Sequence, residues 1–155
     1  MNKKQEQEDE SLYKTDEVNK LTAEDFYFDE KVQNPKVQIK KHKFVSPGVL
    51  KVYANWCPHC RDKVECMIEL ANGLKAIGSN ISIYVMDCPD SNAFSKAIGL
   101  ESYPTFYACD EKGYLSPLKL NGVPVRDVPD ILAALSEEHP DLIQHAEFNQ
   151  PCFKK

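Results

Sequence analysis

Two thiols set two residues apart are the part of this chain best suited to chemistry. Cys57 and Cys60 stand in the pentapeptide Trp56-Cys57-Pro58-His59-Cys60. An apolar run, Val49-Leu50-Lys51-Val52-Tyr53-Ala54, precedes it. A pattern follows in which Val64, Met67, Ile68 and Ala71 fall at i, i+3, i+4 and i+7. The dithiol therefore sits where a strand hands over to a helix. There the free N–H groups and the macrodipole of the helix favour an anion such as a thiolate. Pro58 suits the first turn, where its missing N–H is not needed. Two sulfurs one helical turn apart can join, so the spacing predicts a redox-active pair.

Other readings of the pair compete. It could be half a zinc site, but such sites usually match one C-x-x-C with a second or with spaced histidines; no second C-x-x-C is present, and Cys66, Cys88 and Cys109 have no matching spacing. It could also be inert in a scaffold that binds partners without chemistry. Six cysteines occur in all. Cys66, Cys88 and Cys109 read as small buried hydrophobes, with a second redox pair among them as the alternative, and Cys152 as a free thiol. The chain is large enough for an ordinary core, so mostly reduced, intracellular cysteines are expected.

The 155 residues amount to about one domain. The net charge of −5 is uneven: residues 1–30 carry 4 basic and 10 acidic side chains, leaving the rest near neutral. A polyanion-binding surface is not expected from that balance. No stretch approaches the roughly 20 apolar residues of a membrane span, and no apolar leader precedes the polar start. A cytoplasmic setting is therefore expected, with a virion or another compartment left open.

The elements that must position the dithiol follow in order. Residues 1–20 read as a disordered acidic tail, with Leu12 and Tyr13 its large apolar pair. Residues 21–139 read as the folded domain, starting with a turn capped by Thr22 and Asp25. Lys36 to Lys43 could be an edge strand or a helix. Val49 to Ala54 is a central strand and about Pro58 to Ile77 a helix that stops near Gly78. Ile81 to Met86 is a strand, and a helix capped by Asp90 or Ser91 follows and ends at Gly99. Thr105 to Cys109 and Leu118 to Leu120 are strands. Asp127 caps a last helix with Val128, Ile131, Leu132 and Leu135 on one face. Residues 140–155 read as a second tail. The order is β-α-β-α-β-β-α.

With those elements in place, the chain resembles the thioredoxin-fold family over roughly Leu21 to Glu138. Val52 to Cys60 is similar to the strand and active site of thioredoxins and protein disulfide isomerase domains. Ser102-Tyr103-Pro104-Thr105 is similar to the family's cis-proline loop, and Gly122 to the glycine before its last helix. The resemblance implies an α/β thioredoxin fold, a central mixed sheet of four to five strands flanked by helices. It also implies thiol–disulfide exchange on protein substrates, with an unidentified redox partner, no bound cofactor or metal, no nucleic acid or membrane, and a monomeric chain. Cys57 would be the exposed nucleophile and Cys60 the resolving thiol. Trp56, Tyr103 and Pro104 would line the substrate groove.

Two features depart from thioredoxins. Pro58-His59 stands between the cysteines, as in DsbA-like oxidases, which implies a protein more oxidising than thioredoxin, with His59, Pro58 and Arg61 tuning the thiolate. Lys51 stands where the family usually buries a carboxylate. It is expected to face the same side as Tyr53, and either to lift its amine to the site's rim or to have its ionisation perturbed by burial. A thioredoxin-like reductase and a non-catalytic interaction module are the alternatives.

Overall fold

The computed structural model describes residues 13, 17–55, 57, 63–88 and 93–154. At its centre is β4, Gly48–Tyr53, all six residues of which are buried. It pairs in parallel with β5, Ser82–Asp87, and antiparallel with β6, Thr105–Cys109. β1, Asn19–Leu21, adds in parallel to β5, and β7, Leu115–Pro117, adds antiparallel to β6. The five-stranded sheet thus runs β1-β5-β4-β6-β7. This is the mixed α/β sheet expected of the thioredoxin fold.

Alternation along β4 divides the core. Val49 and Tyr53 join one cluster with Met67, Leu70 and Leu74 of α1, Val64–Ala76, and Val128, Ile131 and Leu132 of α3, Val128–Glu138. Leu50 and Val52 join another with Tyr84, Tyr107 and Phe94, the last on the short helix α2, Ala93–Ala97. Helices thus cover both faces, which is why the strand is a nearly unbroken apolar run. The Asp127 carboxylate caps α3 by accepting from Val128 N at 2.8 Å.

Within the lysine-rich stretch only Gln38–Ile39 forms a strand, and residues 41–43 form a turn. β2, Phe26–Tyr27, pairs antiparallel with β3, Gln38–Ile39, and buries Phe26, Val37 and Ile39. The Asp25 carboxylate accepts from Thr22 N at 2.8 Å, as the turn reading expects. Residues 118–120 do not form the strand beside β6; residues 115–117 do. Instead β8, Lys119–Leu120, turns at Asn121-Gly122 onto β9, Val123–Pro124. Both turn residues have positive φ, 55° and 79°, the conformation a two-residue hairpin of this type requires.

Both expected tails need correction. The fold begins before Leu21: Asn19–Leu21 supplies the edge strand that β5 would otherwise lack, and Asn19 Nδ2 donates to Ile83 O at 3.1 Å. Tyr13 and Val18 are buried in the core cluster on the α1 side. At the other end, three 3-10 turns, Leu142–Gln144, Ala146–Phe148 and Pro151–Phe153, fold back across α1 and α3. Leu142, Phe148 and Phe153 are buried there, and the last two stack edge to face at 5.2 Å. Phe148 lies over Gly73 of α1, where an added Cβ would stand 2.8 Å from the ring. The glycine costs helix propensity but leaves the seat open.

The cysteine assignments change accordingly. Cys66 is not a buried thiol and Cys152 is not free: the returning segment brings them together in a disulfide with Cα atoms 5.4 Å apart. This corrects the expectation of reduced cysteines for that pair. Cys88 and Cys109 are buried, as expected, and Cys109 is a free thiol. Among the described residues no helix is long and apolar enough to cross a membrane.

Candidate functional site

The sheet register brings the site together at one end. Asp87 lies beside Tyr53, and Thr105 beside Val52. The chain leaving β4, the chain leaving β5 and the chain entering β6 therefore meet at the same edge. Cys88 N donates to Tyr53 O at 2.8 Å, and Cys57 N donates to Ala54 O at 3.0 Å. The Tyr103 hydroxyl donates to Cys88 O, and Thr105 Oγ1 donates to Ser102 O at 2.6 Å. These bonds fix the Ser102–Thr105 loop over the end of β4. The Tyr103–Pro104 peptide is cis, in agreement with the family resemblance of that loop.

Cys57 lies under this loop. Its Sγ stands 3.9 Å from Tyr103 O, within reach of a weak S–H donation. Only 5% of the residue is exposed. The residue is therefore buried where an exposed nucleophile was expected, with the Tyr103 carbonyl against its sulfur. Trp56, Pro58, His59, Cys60 and Arg61 lie outside the described residues.

Lys51 is fully buried, on the Tyr53 side of β4 as alternation requires. Its amine does not reach the rim. Nζ donates to the Tyr13 hydroxyl at 2.7 Å and lies 5.2 Å and 5.9 Å from the centres of the Tyr13 and Tyr53 rings. The two rings meet edge to face at 5.4 Å. Tyr13 was not singled out as a site residue in the sequence. Its one signal was isolation, a large aromatic in a polar stretch.

The rim holds a second group that the sequence pattern did not single out. Arg126, exposed and directly before the cap of α3, donates from Nη1 to Ser102 Oγ at 3.0 Å. Its neighbour Asp127 pairs with Lys63 at 3.2 Å, joining the starts of α1 and α3.

The family model described as thioredoxin matches residues 17–134. The chain belongs to the thioredoxin family. Among curated proteins, the chain is 31% identical over 83 residues to "Probable protein disulfide-isomerase A4" of Caenorhabditis elegans, covering 54% of this chain and 13% of that protein. It is 29% identical over 66 residues to "Protein disulfide-isomerase erp38" of Neurospora crassa, covering 43% and 18%. The chain therefore spans under a fifth of either relative. Among solved structures, the J-Trx1 fragment of ERdj5 superposes with a TM-score of 0.46 at 18% identity, covering 80% of this chain and 51% of that one. The Cys57 thiol beneath the Tyr103–Pro104 loop lies at the C-terminal end of β4, within the stretch that the family model matches.

Proposed function

We propose that the chain is a thiol–disulfide oxidoreductase that acts on protein disulfides through Cys57 and Cys60, without a bound cofactor. The observation that supports this most directly is the Cys57 sulfur held 3.9 Å from the carbonyl of Tyr103, beside Pro104, at the end of the central strand. In the oxidising direction, a substrate thiolate attacks Cys57 of a Cys57–Cys60 disulfide, and Cys60 leaves as a thiolate. The second substrate thiol then attacks the mixed disulfide, and Cys57 leaves. Two electrons and two protons pass to the pair, and the substrate gains one disulfide. Reduction of a substrate is the same sequence reversed.

Pro58-His59 and the DsbA-like motif support the oxidising direction. Stabilising the dithiol form makes its disulfide the stronger oxidant, and His59, Arg61 and the buried Lys51 would act on that balance. Trp56, Tyr103 and Pro104 would frame the substrate chain. Burial of Cys57 favours a second reading, an interaction module that uses the groove without turnover.

The test is equilibration in glutathione buffers with a quenched gel-shift readout. A potential above about −200 mV is expected, and one near about −270 mV would assign an ordinary reductase instead. Cys60→Ser is expected to trap mixed disulfides and Cys57→Ser to trap none. Catalysis of insulin reduction by dithiothreitol separates an enzyme from a module, and no catalysis in either direction would overturn the enzymatic reading.

A further inference from the structure

We propose that Arg126 selects disulfide substrates that carry a carboxylate side chain two or three residues from the reacting cysteine; this rests on the oxidoreductase reading above. Arg126 Nη1 donates to Ser102 Oγ at 3.0 Å. Ser102 is bonded to Tyr103, whose carbonyl lies 3.9 Å from Cys57 Sγ. Consecutive Cα atoms are about 3.8 Å apart, so the guanidinium is held on the order of 10 Å from the sulfur. An extended chain rises about 3.3 Å per residue. A peptide that runs from Cys57 along the loop toward Ser102 therefore brings a side chain two or three positions away beside Arg126.

The cation is available to such a side chain. Ser102 is neutral and occupies one of the five guanidinium donors. Among the described residues Arg126 has no carboxylate partner. Asp127, the nearest acid in sequence, is engaged by Lys63 at 3.2 Å and by the α3 N-terminus. Glu101, next to Ser102 in sequence, is exposed and makes no ion pair with Arg126. The hydrogen bond to Ser102 also fixes a long side chain in place before substrate arrives, which lowers the entropy that an ion pair must overcome.

The experiment uses three fluorogenic disulfide peptides that differ only at the two positions flanking the cysteine at this distance: Glu, Gln or Lys. At about 50 mM salt, kcat/KM for the Glu peptide is expected to exceed that for the Gln peptide about two- to fivefold, the range of an exposed ion pair, with the Lys peptide slower still. About 0.5 M salt should compress the ratio. Arg126→Gln should bring the Glu-to-Lys ratio close to one, and Arg126→Lys should keep most of it. Equal rates for the three peptides with the unaltered protein, or a ratio that survives Arg126→Gln, would overturn the assignment and leave the oxidoreductase reading intact. If none of the three is turned over, both fail.

Discussion

The bond between Cys66 and Cys152 should account for a large share of the stability of this protein. It closes a loop with a sequence separation of 86 residues. The loop-entropy relation for a ring of that size gives about 4.6 kcal/mol at 25 °C, above the typical span of about 2–4 and near the top of the full range of about 0–5. Native domains of this kind are held by about 5–15 kcal/mol in total. Removing the bond need not release the segment, because Leu142, Phe148 and Phe153 are buried on their own account, each worth about 1.5–3 kcal/mol. The loss therefore belongs to the unfolded chain, which regains conformations that the ring denied it. The variant to make is Cys66→Ala with Cys152→Ala, unfolded in urea beside the oxidised parent. Its stability is expected to fall by about 2–4.6 kcal/mol. The segment should remain resistant to protease under native conditions. Tryptic mapping of the unreduced parent should recover the two cysteines in one cross-linked fragment. A loss under about 1 kcal/mol, or separate alkylation of both thiols in oxidised protein, would refute this account.

Two further outcomes follow from buried groups. Tyr13→Phe removes a hydrogen-bond partner of a fully buried amine and should cost about 1–3 kcal/mol, while Lys51→Met together with Tyr13→Phe should cost less than Tyr13→Phe alone; urea unfolding of the full cycle checks this, and an additive double variant would contradict it. Burial, then Asp110, pushes the Cys109 thiol up from 9.0 to about 12, so the unfolded chain loses that proton first and stability should fall between about pH 9 and 12, by at most about 1.4 kcal/mol per unit for this group. Below pH 9 the contribution is complete; Cys109→Ala should show a smaller drop between pH 8 and 10.5, and an equal drop would exclude Cys109 as a source.

The parts of this chain that declared themselves in sequence are those whose pattern and partner lie close together. β4 reads as buried because helices cover it on both sides. Thr105 to Cys109 shows clear bounds because Pro104 precedes it and a tight turn follows at Asp110 to Gly113. Asp127 carries its capping role in its type and place. The misses share a different cause. Asn19–Leu21 has little strand character of its own and forms a strand because β5 offers an edge some 60 residues away. Phe148 and Phe153 look like scattered aromatics until Gly73 is seen to leave room for one of them. The Cys66–Cys152 bond depends on that return of the chain, and nothing in the spacing of the two cysteines announces it. The loop at Ser102 to Thr105 showed in its Tyr-Pro-Thr sequence, and its Tyr103 carbonyl lies 3.9 Å from the Cys57 sulfur. Arg126 did not show in the pattern because its link to Ser102 spans 24 residues and four strands.

The departure at Lys51 and the burial of Tyr13 have one physical explanation. A strand in the middle of a sheet gives its backbone carbonyls to the ladder, so it has little to offer an amine on one of its own side chains. Burying such a group without an acceptor is costly. One acceptor comes from beyond the stretch that matches the family, which begins at residue 17: the hydroxyl of Tyr13, with its ring and that of Tyr53 flanking the amine. Both ends of the chain therefore land on the same layer. Tyr13 and Val18 enter it from one terminus and Leu142, Phe148 and Phe153 from the other, all in the cluster that α1 and α3 share with Val49 and Tyr53. A domain cut at residues 17 and 134 would keep the sheet and the site's loops. It would lose the Tyr13 hydroxyl that accepts from Lys51, the cover of Gly73 and the disulfide to α1 together. In this chain the terminal segments are part of what holds the strand and helix on either side of Cys57.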